Sequence, residues 1–416
     1  MGLWRQPDFL RLWAGQTISL LGSQVTHLAV ALTAAMVLQA TPAELGLVGT
    51  LNVLPLVAFG LPAGVWVDRV RRRPLLIATD LGRALLLVSV PLAAVAGRLS
   101  MGQLYVVSFG LGAFNALFAV AYGSFLPSVV SRADLAEGNA RMALAEAVAR
   151  VAGPGVAGVL VQLLTAPLAI LVDCLSFLVS AVAFLGMRVR EASPDTSRRR
   201  GVWPEITEGI NGVFEHRLLR PLFVGSSLGN IADGLVFQSG LVVLFMVREL
   251  HLEPAVLGGV FVGLGIGGLI GAALAGPAIR AWGLGATIVG SLGLWAVGYG
   301  GLALVPESPL APLAVGALLG AVGAINPIAG ANISTVRQAV TPDRLLGRVT
   351  AVVRVGAWTA LTVGSLAGGI LADHIGVRPT LLLGGLLPLI GCGFLLLSPI
   401  RQLRQLSSPL PYAESS

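Results

Sequence analysis

Apolar and polar positions in this chain fall into long uninterrupted runs and do not alternate. A helix that crosses a bilayer needs about 20 largely apolar residues. Windows of that kind occur twelve times, near 12–38, 45–67, 75–97, 102–130, 138–165, 167–187, 221–247, 254–279, 284–305, 310–337, 348–373 and 377–398. Twelve membrane-spanning helices are therefore predicted. The first window is too long to read as a cleaved leader, and no small-residue cleavage site follows it. One polar connection, 188–220, is longer than the rest and opens with a basic stretch through Arg198, Arg199 and Arg200. Its second half sets Ile206, Ile210, Val213, Phe214 and Leu218 at helical spacing, opposite Glu205, Glu208 and Glu215. That spacing predicts an amphipathic helix lying on the membrane surface.

Dividing the chain at this segment gives a six-helix half (1–187), a linker (188–220), a second six-helix half (221–398) and a tail (399–416). The halves echo each other at an offset near 210 residues. Gly15 matches Gly225, and Gly64 falls opposite Gly276, with Arg280 in the place of Asp68. Residues 131–135 match 341–345, and Ala157-Gly158 matches Ala367-Gly368.

Composition supports the membrane reading and removes several chemistries. The chain is 55% hydrophobic and 11% charged with mean hydropathy +0.86, against about 25% charged in a soluble domain. There is no lysine, so all 27 basic residues are arginine. That excludes a phosphate-binding loop ending in Gly-Lys-Ser/Thr and a Schiff-base lysine. Cys174 and Cys392 lie far apart in apolar runs, so a disulfide framework has no basis. His27, His216, His251 and His374 are scattered, with no His-Glu-x-x-His pattern. The sequence reads as no enzyme, and nothing in it asks for a cofactor or a metal. Placed on the twelve-helix topology, 21 arginines fall on one side, three (Arg98, Arg248, Arg378) on the other, and three (Arg83, Arg150, Arg354) within spans. Short cytoplasmic loops collect Arg and Lys, so both termini are predicted to be cytoplasmic.

The densest basic loop is Gly64-Val65-Trp66-Val67-Asp68-Arg69-Val70-Arg71-Arg72-Arg73. Its Gly-x-x-x-Asp-Arg-x-x-Arg-Arg pattern resembles the signature loop between helices 2 and 3 of the major facilitator superfamily of transporters, with Arg71 where that pattern usually has Gly. Phe9-Leu-Arg-Leu-Trp13, Gly15-Gln16-Thr-Ile-Ser19-Leu-Leu-Gly22 and Asp173-Cys-Leu-Ser176-Phe177 are similar to its enterobactin-exporter and macrolide-efflux-like branch. The resemblance implies an all-α membrane protein of twelve transmembrane helices in two pseudo-symmetric halves. It also implies that Gly64, Asp68, Arg69, Arg72 and Arg73 act as a conformational latch. Asp80 and Arg83, three apart on one helix, are assigned to the same latch or to helix packing. Orientation by positive charge alone accounts for Arg71 and Arg73, but not for Asp68. Gly153-Pro154-Gly155-Val156-Ala157-Gly158 resembles the drug-antiporter element Gly-Pro-x-x-Gly-Gly; the alternative is an ordinary kinked packing face. Gly263-Leu-Gly265-Ile-Gly267-Gly268 matches a dinucleotide fingerprint only in letters; inside an apolar run it reads as helix packing.

Charges within a bilayer are costly and so mark function. Asp233 is the leading candidate, in a run that also holds Asn230 and Gln238. Ser23 and Gln24 are the matching polar pair in the first run, with His27 a turn further on. A carboxyl removed from water holds a proton more readily. Asp233 is thus expected to couple proton entry to substrate exit or to pair with a cationic substrate, the alternative being a structural hydrogen bond. His27 could titrate near neutrality or simply complete a helix face. The pair Glu146 and Arg150 reads as helix stabilisation, and Asp173 as structural or part of a gate.

These features predict a proton-coupled exporter of hydrophobic or amphipathic small molecules, such as a drug, macrolide-like natural product or siderophore, in a bacterial cytoplasmic membrane. Its partners would be a small-molecule substrate, a proton gradient and membrane lipid, with no nucleic acid. An importer on the same fold, or a non-transporting sensor or scaffold, remains the alternative.

Overall fold

The computed structural model describes residues 3–67, 70–189 and 202–403. Among them all regular structure is helical. The first six long helices are α1 (Pro7–Leu32), α2 (Pro42–Val67), α3 (Arg72–Val95), α4 (Met101–Val129), α5 (Leu135–Leu164) and α6 (Ala166–Gly186). After the linker come α7 (Val202–Phe214), α8 (Leu219–Asp233), the short α9 (Leu241–Leu244), α10 (Pro254–Trp282), α11 (Leu284–Leu302), α12 (Ala311–Val340), α13 (Asp343–Ile375) and α14 (Val377–Leu396). Eleven helices among the described residues are long and apolar enough to cross a membrane. Leu219–Gln238 and Leu241–Glu249, bent by 42° at the break, make the twelfth if counted as one span. Every predicted window therefore coincides with a helix or with this bent pair.

Local chemistry explains the starts and the break. α2 opens with a reciprocal capping box, in which Thr41 N–H donates to Glu44 Oε2 (2.8 Å) and Glu44 N–H to Thr41 Oγ1 (3.2 Å). The bent span continues α8 as a π-helical turn, Gly234–Gln238. It breaks at Gly240, whose φ of +76° only glycine adopts cheaply. Ser239 bridges the break, its hydroxyl donating to Leu235 O (2.6 Å) and accepting from Leu241 N–H (3.3 Å).

The helices cluster into two compact units, Met1–Arg198 with Met246–Val262, and Arg199–Phe245 with Gly263–Ser416. In the first, α1 packs on α5 and α6, α2 on α4, and α3 on α4 and α6. In the second, α8 packs on α13 and α14, α11 on α12 and α14, and α7 on α13. The echo between the halves is structural. Gly15 brings α1 onto α6, where a Cβ would lie 2.8 Å from Ala183 Cβ; Gly225 brings α8 onto α14, 3.1 Å from Leu395 Cγ. α1 ends in a π-helical turn, Thr33–Val37, with Gln39 following at φ +50°. The seventh span ends the same way, in Phe245–Glu249 with His251 at φ +53°.

The outward faces are apolar: Leu85, Val95, Leu163, Val182 and Leu304 are exposed. Such a surface suits lipid and not water. The amphipathic helix forms as α7, with Val213 buried and Ile210 and Phe214 exposed. On its acidic side Glu208 ion-pairs with Arg344 (3.2 Å) and Arg348 of α13. Gly209 permits that contact, since a Cβ there would lie 2.9 Å from Arg348 O. The glycines of the fingerprint-like stretch are packing residues: a Cβ on Gly263 would come within 2.5 Å of Gly316 O on α12, and one on Gly267 would overlap Gly320 O.

Candidate functional site

In the second unit Asp233 is the last residue of α8 before the π-helical turn. Tyr299 of α11, fully buried, donates its hydroxyl to Asp233 Oδ1. The backbone is crowded there. A Cβ on Gly234 would overlap Leu361 O, and Gly364 and Gly368 of α13 press directly on Ile231 and Leu235. Small residues thus seat the carboxyl between three helices, α8, α11 and α13. Asn230, one turn earlier, donates to Ser226 O within its own helix (2.7 Å). Gln238 closes the π-helical turn. Tyr299 was not singled out from the sequence, because a tyrosine in an apolar run carries no sign of a partner 66 residues away.

The first unit holds a buried charge centre. Asp80 (0% exposed) and Arg83 (5%) of α3 form an ion pair, and Asp173 (1%) of α6 lies within range of the Arg83 charge. The guanidinium sits 4.2 Å from the Phe118 ring centre and 4.1 Å from that of Phe177, and donates to Asn115 Oδ1 at 3.0 Å. Asp173 Oδ1 accepts from Ser176 (2.8 Å) and lies beside Ser23 of α1. Gly22 makes the approach of α1 possible, as a Cβ there would lie 2.6 Å from Asp173 Oδ1. Gln16 of α1 donates to Ser180 of α6 at 3.0 Å. The two branch-like motifs, Gly15 to Gly22 and Asp173 to Phe177, are therefore facing sides of one seam.

Of the remaining predicted residues, Gln24 packs against α5, where a Cβ on Gly153 would lie 2.5 Å from its Cβ. His27 is exposed. Glu146 and Arg150 form an exposed ion pair on α5. Ser23, Gln24 and His27 belong to the first unit, and Asp233, Asn230 and Gln238 to the second.

Asp68 and Arg69 lie outside the described residues, and Gly64 lies in α2. Arg73 donates to the carbonyls of Phe184 (2.8 Å) and Leu185 (2.6 Å), which close the last turn of α6. Arg72 reaches Ser124 O near the end of α4 (3.3 Å). A cation at a helix C-terminus meets the negative end of the dipole. Pro154 and Gly158 of α5 face the Met246–Val262 segment of the same unit. A Cβ on Gly158 would lie 2.5 Å from Pro254 O and 2.8 Å from Gly258 Cα, and one on Gly258 would lie 2.5 Å from Pro154 O. Among the described residues, no group of three or more His, Cys, Asp or Glu side chains is placed to hold a metal ion.

Membrane-length helices in repeated arrangement, with buried polar groups in each unit, define a multi-pass membrane protein. The sequence matches the family described as transmembrane secretion effector over residues 2–413, and the chain belongs to that family of the major facilitator superfamily. It is 30% identical to the multidrug efflux pump Tap of Mycolicibacterium fortuitum, over 88% of this chain and 90% of Tap. It is 24% identical to macrolide efflux protein A of Streptococcus pyogenes, over 96% and 97% of the two chains. Its fold is similar to that of a bacterial homologue of the iron transporter ferroportin in an inward-facing state (TM-score 0.74, 14% identity, 95% of this chain and 99% of that one). The nucleoside transporter NupG is also similar (TM-score 0.73, 11% identity, 95% and 98%).

Proposed function

We propose that this chain is a proton-coupled exporter of hydrophobic or amphipathic small molecules, working by alternating access between its two six-helix halves in the bacterial cell membrane. Efflux-pump relatives that align over most of both chains support export. The observation that carries the coupling is the Asp233–Tyr299 hydrogen bond at the start of the irregular stretch of the seventh span. As a carboxylate, Asp233 accepts strongly from the tyrosine hydroxyl. Protonation removes the charge and weakens that bond, loosening α11 from the point where α8 changes its winding. Proton entry at Asp233 thereby shifts the preference between two helix arrangements, which is what coupling requires. Gly64, Asp68, Arg69, Arg72 and Arg73 act as the latch of one state, and Gly153, Pro154 and Gly158 as the close crossing of another.

The test is accumulation of a panel of fluorescent hydrophobic compounds in pump-deficient cells, comparing the intact protein with Asp233→Asn, each with and without a protonophore. Lower accumulation that is lost with either treatment is expected. Efflux that survives Asp233→Asn but not the protonophore would remove that residue from coupling and leave the exporter standing.

A further inference from the structure

By sequence Met246–Val262 belongs to the second six-helix half, yet it clusters with the first unit. Two cross-helix caps hold it there. The first N–H groups of a helix have no partner within it. α10 starts at Pro254, so Ala255 carries the first of them. Gln162, in the last turn of α5, accepts that N–H on Oε1 (3.0 Å) and donates from Nε2 to Glu253 Oε2 (3.2 Å). One amide thus caps α10 from another helix. The second cap is Arg248, whose Nη2 donates to Ala40 O (2.7 Å) and Ala35 O (3.4 Å), where α1 and its π-helical turn end. A cation there meets the negative end of the helix dipole. Both connections turn through a non-glycine residue in the left-handed region, Gln39 (φ +50°) and His251 (φ +53°). Such residues persist where neighbouring contacts fix them.

Deeper in the seam the helices meet through small residues. Gly155, Gly158 and Gln162 share one face of α5, at the three- and four-residue spacing of a helix. A Cβ on Gly155 would lie 3.2 Å from Val262 Cγ2, and the crossing of Gly158 with Gly258 lies between that contact and the caps. The seam is therefore close backbone packing, closed at its rim by exposed Gln162 and Arg248. Hydrogen bonds at an exposed rim exchange for water at small net cost. A contact built this way can open and reclose. We propose that Gln162 and Arg248 close a gate where α1 and α5 meet Met246–Val262, at the end of the helices opposite the Arg72–Arg73 loop. Their caps are made when that end is shut and exchanged for water when it opens. The gate rests on the alternating-access reading above and assigns residues to one of its two states; it does not depend on Asp233, on a proton or on the direction of transport.

The test uses the full chain in nanodiscs, with Cys174→Ser and Cys392→Ala, and nitroxides on Leu163→Cys and Val256→Cys, exposed neighbours of the seam. Dipolar broadening of their spectrum reports that α5 and α10 lie together. With both caps intact a broadened spectrum is expected. Gln162→Ala and Arg248→Gln should each raise the ratio of separated to close spins, about fivefold for the amide and about tenfold or more for the guanidinium. Those are the sizes expected for neutral and charged hydrogen bonds. Arg248→Lys, which keeps the charge without the fork, should fall between intact protein and Arg248→Gln. Gln103→Ala is the control, because Gln103 donates to Ser89 O (2.9 Å) at the same end of the molecule, on α4 and away from the seam. The proposal is overturned if the protein with both caps shows no broadening, if both cap variants, purified as monodisperse protein, keep its spectrum, or if Gln103→Ala separates the spins as much. None of these readings uses a transported solute or a proton gradient, so failure here leaves the efflux experiment to be judged separately.

Discussion

Arg83 carries one positive charge into a layer that holds two carboxylates, and all three groups are at least 95% buried. Its aromatic clamp and the Asn115 amide hold the guanidinium in place, so the layer cannot relax easily if the charge is removed. Breaking a buried pair from one side leaves an uncompensated ion and costs about 3–5 kcal/mol. Arg83→Gln is expected to lower the thermal unfolding temperature of the purified protein sharply, and Asp80→Asn in the same chain should restore part of it. Strictly additive losses in the two single variants and the double would show that Asp80 and Arg83 are not coupled. This pair was legible in the sequence because its members are three apart on one helix. Asn115, Phe118, Phe177 and Tyr299 were not, since each meets its partner across helices and a single sequence carries no record of such pairings. The same limit explains Ser23: it was read as the counterpart of Asp233 by repeat symmetry, and within its own unit it lies beside Asp173.

Helix positions were the most readable level, because hydropathy runs of bilayer length have few alternatives in a chain this poor in charge. The bend of the seventh span was not, because a hydropathy window sums side chains and is blind to a left-handed backbone at Gly240. Small residues decide where helices can touch, and the α5 element shows it. At Gly158 the backbone runs against Pro254 and Gly258, and no flexible side-chain end is there to yield. Gly158→Val should force α5 away from that segment. The expected outcome is normal insertion and expression, with dye efflux reduced at least about tenfold, as misplacement of about 1 Å can cost more than that at a functional contact. Gly259→Val is the matched control, since a Cβ at Gly259 meets nothing within 4 Å. Equal efflux from both variants would reduce the element to ordinary packing.

For the whole molecule, the distribution of arginine predicts which side of the membrane each connection faces. Arg132 and Arg141 flank the α4–α5 connection, whereas the α11–α12 connection, 303–310, contains Glu307 and no arginine. With both termini inside, the first of these connections is cytoplasmic and the second external. Odd and even spans must alternate, so a span lost before α4 would exchange the two assignments, and one lost between the two connections would put both on the same side. That makes a two-site measurement sufficient. The native thiols Cys174 and Cys392 lie within α6 and α14 and can be replaced by serine and alanine. Ser308→Cys and Ser131→Cys then place single thiols on the two connections. A membrane-impermeant maleimide should label the Ser308→Cys protein in intact cells and the Ser131→Cys protein only after lysis. The reverse pattern would invert the protein and, with it, place the Arg72–Arg73 loop outside. Labelling of neither before lysis would mean that the bent span Leu219–Glu249 does not cross. In that case the second half would begin on the wrong side, and the repeat between α1 and α8 would be parallel in packing but not in topology.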